Sequence, residues 1–121
     1  MITKRILIAA DDPLVRNVLR FFLESQNRFE VCGEAVNGLD VIEKARTLSP
    51  DLVVMDVSMP VMNGIEAGAV LKVMLPHVPV VLYTSQDSAK LETHALEVGV
   101  RAVVRRNDIA SFAGHLGEFL T

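Results

Sequence analysis

Tryptophan is missing from this 121-residue chain, tyrosine and cysteine occur once each, and glycine and proline together number only twelve. The lone Cys32 excludes an internal disulfide and a cysteine-cluster zinc site. It lies in an apolar stretch with Phe29 and Val31, where a buried, inert thiol is expected. Excess positive charge is also lacking. A net charge of −3 and a pI near 5.5 leave no electrostatic footprint for nucleic acid, so no direct contact with DNA or RNA is expected. Long apolar runs are absent too. Only five apolar residues separate Lys4-Arg5 from Asp11, too few for a signal peptide. The uncharged stretch from Val73 to Gln86 contains Pro76 and Pro79 and falls short of a membrane span. The expected setting is cytoplasmic, with no membrane contact.

Apolar side chains make up 50% of the residues, enough for one sizeable core in a chain of single-domain length. They fall into two alternating patterns. Ile6–Ala10, Leu52–Met55, Val78–Tyr83 and Ala102–Val104 are short apolar runs, with a weaker one at Phe29–Gly33. Successive rather than alternate apolar positions predict strands covered on both faces, as in a parallel sheet between helices.

Helical spacing fills the intervals. Leu14, Val15, Val18, Leu19, Phe22 and Leu23 form one stripe behind Pro13, which suits a first helical turn. Further stripes follow Asn37-Gly38, Asn63-Gly64 and Asp87-Ser88, the last ending at Gly99, a C′ glycine. Ile109, Phe112, Ala113, Leu116 and Leu120 make the final stripe, weakened by Gly114 and Gly117. The order predicts one doubly wound α/β domain over residues 1–121, with no internal linker.

In such a sheet, ligands bind beyond the carboxyl ends of the strands. The residues there are Asp11 and Asp12, then Asp56, then Thr84 and Ser85, then Arg105 and Arg106. Clustered carboxylates repel, and an all-oxygen donor set without His or Cys favours Mg2+ or Mn2+ over zinc. An aspartate, a hard cation, a hydroxyl and a positive side chain are the parts of a phosphoryl-aspartate site. Each residue also has a plainer reading. Asp12 before Pro13 suits a helix N-cap, Thr84 or Ser85 could cap the helix that follows, and an arginine pair is usually solvated. His77, His94 and His115 lack metal-ligand spacing and read as surface or packing residues.

These features resemble the response-regulator receiver domains of two-component signalling over the whole chain. Ile6 to Asp12 resembles the family's first strand and acidic pair, and Pro50 to Gly64 (PDLVVMDVSMPVMNG) its phosphorylation segment. Glu34-Ala35-Val36-Asn37-Gly38 is most similar to receivers joined to NarL/LuxR-type DNA-binding domains. The resemblance implies a (βα)5 fold with flavodoxin-like strand order 2-1-3-4-5. It implies that Asp56 accepts phosphate from a sensor histidine kinase. It further implies Mg2+ held by Asp12, Asp56 and the carbonyl of Ser58, with Asp11 acting through water. Thr84 would bind the phosphoryl oxygen, and Arg106 stands where the family has lysine, with Arg105 one residue away as an alternative. Val103 stands where an aromatic is usual, which bears on how phosphate is read out.

The partners so implied are the kinase, a C-terminal DNA-binding output domain outside this chain, and a second copy docking through the strand 4–helix 4–strand 5 face. Catalysis would be limited to self-phosphorylation and self-dephosphorylation, so the chain is not expected to be an enzyme. The alternative is a degenerate receiver that binds partners without phosphate. An aspartyl phosphatase is disfavoured because its Asp-x-Asp signature is replaced by adjacent Asp11-Asp12.

Overall fold

Runs of successive apolar side chains need cover on both faces, and the computed structural model, which describes residues 3–119, supplies it. The elements alternate: β1 (Lys4–Ala9), α1 (Pro13–Glu24), β2 (Phe29–Ala35), α2 (Gly38–Leu48), β3 (Leu52–Asp56), α3 (Gly64–Met74), β4 (Val80–Thr84), α4 (Ala89–Glu97), β5 (Ala102–Arg105) and α5 (Ile109–Gly114). All strand pairs are parallel, in the order β2-β1-β3-β4-β5, which is the flavodoxin-like arrangement.

Strand parity divides the interior in two. Leu7, Ala9, Val53, Met55 and Leu82 pack against Val41, Ala67, Leu71 and Ala95 of α2, α3 and α4. Ile6, Ile8, Val54, Val81 and Tyr83 pack against Leu19 and Leu23 of α1 and Ile109 and Phe112 of α5. Most of these side chains have no exposed surface, and each fully buried Leu or Ile contributes roughly 1.5–3 kcal/mol. Cys32 is only half-buried, less than expected, and burial pushes its thiol up, away from the reactive thiolate.

Helix starts follow the capping residues. Asp12 accepts from Leu14 N at 2.9 Å ahead of Pro13, and Asn37 accepts from Asp40 N at 2.8 Å. Asn63 and Glu66 form a reciprocal capping box, and Ser88 accepts from Leu91 N at 3.1 Å. Ser88, rather than Thr84 or Ser85, therefore caps α4. Gly99 ends that region with φ 104°, as its C′ role requires.

Several element ends differ from the sequence reading by one or two residues, and two departures have a plain physical cause. β4 begins at Val80 rather than Val78, because Pro79 has no N–H for the ladder, although its carbonyl accepts from Val53 N at 3.1 Å. The last stripe is not one helix. A 3-10 turn at Arg106–Asp108 precedes α5, which ends at Gly114, and a second 3-10 turn covers Leu116–Phe119. Two glycines within one short stripe each cost about 1 kcal/mol relative to alanine, and the α-helix does not continue through them. Leu120 of that stripe, like residues 1, 2 and 121, lies outside the described residues.

Candidate functional site

Asp56 is the last residue of β3, in the middle of the sheet, and only 4% of it is exposed. Its oxygens are held separately. Oδ1 accepts from the backbone N–H of Ser58 at 3.2 Å, and Oδ2 accepts from Arg106 Nη2 at 3.0 Å. Burial pushes the Asp56 carboxyl above its usual range, against the pull of the Ser58 N–H and the Arg106 charge, with neighbouring Asp11 pushing it up further. The carboxylate is thus desolvated, close to another negative group, and compensated by one guanidinium.

The loop after Asp56 is fastened at both ends. Gly64 N donates to Val57 O at 2.8 Å, and Gly38 N at the start of α2 donates to Met62 O at 2.9 Å. A Cβ on Gly38 would stand 2.3 Å from the Met62 carbonyl oxygen, so the two Asn-Gly steps serve backbone contact as well as helix initiation. Between them, Met62 N donates to Pro60 O at 2.7 Å across Val61, whose φ is 70°. A β-branched residue is strained there, in a tight three-residue turn. This loop and Asp11 line an open cleft of about 480 Å³ bounded by Val57, Ser58, Met59, Pro60 and Asn63.

The other strand-end residues divide their duties. Thr84 ends β4 and is buried, and its Oγ1 accepts from Gln86 N at 3.0 Å, which leaves the hydroxyl proton free to donate. Ser85 is exposed. The arginines separate cleanly: Arg106 reaches Asp56, while Arg105 forms a 2.6 Å ion pair with Asp87 in the β4–α4 loop. The contact with Asp56 thus belongs to Arg106 and not to Arg105. Val103 is half-buried on the α4 side of the sheet.

Asp11 and Asp12 are both exposed at the end of β1. Asp11 faces the cleft, while Asp12 serves as the N-cap with one of its two oxygens. Among the described residues, no three His, Cys, Asp or Glu side chains gather closely enough to hold a metal by themselves. A cation here would need the two nearby carboxylates supplemented by a main-chain carbonyl and water. That donor set, all oxygen and incomplete, fits Mg2+, which keeps several waters.

Two features escaped the sequence reading. Tyr83 satisfies the apolar pattern of its run, yet its ring centre lies 5.6 Å from the Arg106 guanidinium carbon. Burial raises the Tyr83 hydroxyl, and Arg106 opposes that shift. Arg16, on the first turns of α1, reaches back to the acidic loop, donating to Ala10 O at 2.8 Å and Asp11 O at 3.3 Å. No helix in the described residues is long and apolar enough to cross a membrane.

Comparison with known proteins agrees with this geometry. A family model described as "Response regulator receiver domain" matches residues 6–108. The response regulator protein VraR of Staphylococcus epidermidis is 37% identical over 107 residues, covering 88% of this chain and 51% of VraR. The protein-glutamate methylesterase/protein-glutamine glutaminase of Pyrococcus abyssi is 39% identical over 97 residues, covering 78% of this chain and 26% of that protein. The chain thus spans about half or less of the length of these curated relatives. Among solved structures, the response regulator domain of Thermotoga maritima CheB is 31% identical at a TM-score of 0.85, covering 96% of this chain and 92% of that one. A two-component response regulator of the LuxR family from Aurantimonas is 27% identical at a TM-score of 0.92, covering 98% of this chain and 85% of that one.

Proposed function

The chain belongs to the response regulator receiver domain family, and from that premise we propose that residues 1–121 form one phosphoacceptor switch with Asp56 as the acceptor. The observation that carries this reading is the Asp56 carboxylate itself, buried at the end of a central strand with each oxygen held by a different donor.

In the proposed reaction an Asp56 oxygen attacks the phosphorus of a phosphohistidine on a sensor histidine kinase. The new O–P bond forms as the P–N bond breaks, and the electron pair leaves with the imidazole, which takes up a proton. Asp12, Asp56 and the Ser58 carbonyl are the groups that would hold Mg2+ directly, with Asp11 acting through water and Asp12 using the oxygen its cap bond leaves over. When bound, that ion offsets the negative charge shared by the phosphoryl oxygens and the carboxylates. Arg106 already faces Asp56 and supplies a second positive charge for the transferred group. Thr84 donates its hydroxyl proton to a phosphoryl oxygen while it continues to accept from Gln86 N. Desolvation of Asp56 strengthens each of these interactions.

The reaction is a single event on the chain's own side chain, followed by self-dephosphorylation, not turnover of a free substrate. The added charge biases the β4–α4–β5 surface toward a second copy or an output domain. The matched regulators extend well beyond the aligned region, and a C-terminal DNA-binding output domain, in a cytoplasmic protein, is the arrangement proposed here. Val103 favours one competing reading, phosphate-independent binding, because no aromatic is present there to follow the movement of Thr84.

Intact-mass measurement after incubation with Mg2+ and acetyl phosphate or phosphoramidate tests the proposal. The expected product is a single base-labile phosphate adduct that Asp56→Asn lacks. Absence of any adduct with a competent donor and metal would put the binding-module reading ahead.

A further inference from the structure

We infer that Arg16, braced by Glu34, is a positioning residue that sets the acidic loop for metal binding; this rests on the proposed Mg2+ site. One guanidinium makes three contacts. Nη1 donates to Ala10 O at 2.8 Å and Asp11 O at 3.3 Å, while Nε donates to Glu34 Oε1 at 3.0 Å. Arginine's fixed fork can bind both partners at once, which a lysine ammonium on a flexible stem does poorly.

Glu34 is itself anchored. Its Oε2 accepts from Arg20 Nε at 3.0 Å and Nη2 at 2.7 Å, and Arg20 also pairs with Glu24 at 3.4 Å. The Arg20 hydrogen bond, followed by that of Arg16, holds the Glu34 carboxyl below its usual range. The Arg16 side chain is 18% exposed and that of Glu34 29%, so the contact is partly shielded from water.

Ala10 is held from its other edge as well, since its N–H donates to Ala35 O at 3.1 Å. The backbone that presents Asp11 to the cleft is therefore tied to β2 on one side and to α1 on the other. Arg16 and Arg20 are offset in charge by Glu24 and Glu34. The tie thus places the loop without adding net positive charge that would repel a cation. Outer contacts that orient metal-binding groups typically matter by 10–100-fold in affinity.

Calorimetric titration with Mg2+ tests the inference on the wild-type chain and on Arg16→Gln, Arg16→Lys and Glu34→Gln. Arg16→Gln is expected to raise the Mg2+ Kd about tenfold or more, with the other two variants intermediate. Phosphate incorporation should recover at saturating Mg2+. In metal-free protein, the amides of Asp11, Asp12 and Leu14 should exchange faster, while those near the end of α1 should not. A Kd within about twofold of wild type would overturn the positioning role, even with a lowered melting temperature. If Arg16→Gln does not fold, Arg16→Lys and Glu34→Gln are judged by the same standard. Failure of the wild-type chain to bind Mg2+ at all would remove the proposed site and this inference with it. Binding by wild type and Arg16→Gln alike would remove the inference alone.

Discussion

The Arg106 guanidinium donates to Asp56 Oδ2 at 3.0 Å, joining side chains 50 positions apart, one ending β3 and the other just past β5, strands that are not neighbours. The contact spans β4, whose Tyr83 lies opposite Asp56 in the strand register and presents its ring to the same guanidinium. Asp56, Tyr83 and Arg106 therefore form one electrostatic unit.

Replacing the ring should weaken the hold on Arg106. A cation–π contact of this kind is worth about 0.5–1 kcal/mol, so Tyr83→Leu is expected to slow phosphorylation roughly two- to fivefold, while Tyr83→Phe keeps most of the rate. Rates of adduct formation with phosphoramidate provide the measurement. Arg106→Lys should matter less in the Tyr83→Leu background than in wild type. Equal effects in both backgrounds would show that the ring plays no part.

Stability should respond to pH with opposite signs at two carboxylates. The Asp56 carboxyl is raised by burial, so its contribution is fully present below the ordinary carboxylate range and is lost as pH rises through its elevated value. Glu34 is lowered by Arg20 and Arg16, so its contribution is present above the ordinary range and is lost as pH falls through its depressed value. At neutral pH, Asp56→Asn is therefore expected to melt above wild type and Glu34→Gln below it. The two differences should shrink in acid. Thermal melts across the acidic range decide the matter, and a destabilised Asp56→Asn at neutral pH would contradict it.

Val61 offers a gain in stability. It is 78% exposed and held at φ 70°, so its side chain has little packing to lose and backbone strain to relieve. Asparagine tolerates this conformation, and Val61→Asn is expected to stabilise the chain by about 1 kcal/mol. The urea midpoint should rise with an unchanged slope. A lowered midpoint would count against strain at this turn.

Gly38 should tolerate no side chain. A methyl group there meets the backbone carbonyl of Met62 rather than a flexible side-chain end, and a destabilisation of about 1–3 kcal/mol is expected for Gly38→Ala despite alanine's better helix propensity. Urea denaturation measures the loss. The shifted loop should also slow phosphate incorporation at Asp56, and wild-type stability in this variant would refute the close approach.

The alternation of uninterrupted apolar runs with helical stripes was enough to read the parallel sheet, because double-sided burial and helical periodicity leave different marks. Strand ends likewise brought Asp11, Asp56, Thr84 and Arg106 into view. What stayed hidden depends on where long side chains terminate. Arg16 and Glu34 lie on separate elements, and nothing in their spacing tells which backbone oxygen a guanidinium will reach. Tyr83 was absorbed into a strand because its ring satisfies the apolar pattern while its face meets a cation. Asp12 carried both a capping and a ligand reading, and its bond to Leu14 N establishes the first without consuming the second oxygen. Which of Arg105 and Arg106 reaches Asp56 depends on the direction of the chain at the end of β5, where it enters a 3-10 turn.

The position of Tyr83 has an optical consequence. It is the only tyrosine in a chain without tryptophan, so near-ultraviolet emission from this chain arises almost wholly from one ring. That ring sits opposite Asp56 in the register and against Arg106. The Asp56 site therefore carries its own fluorophore, and changes in charge there can be followed in solution without attaching a label.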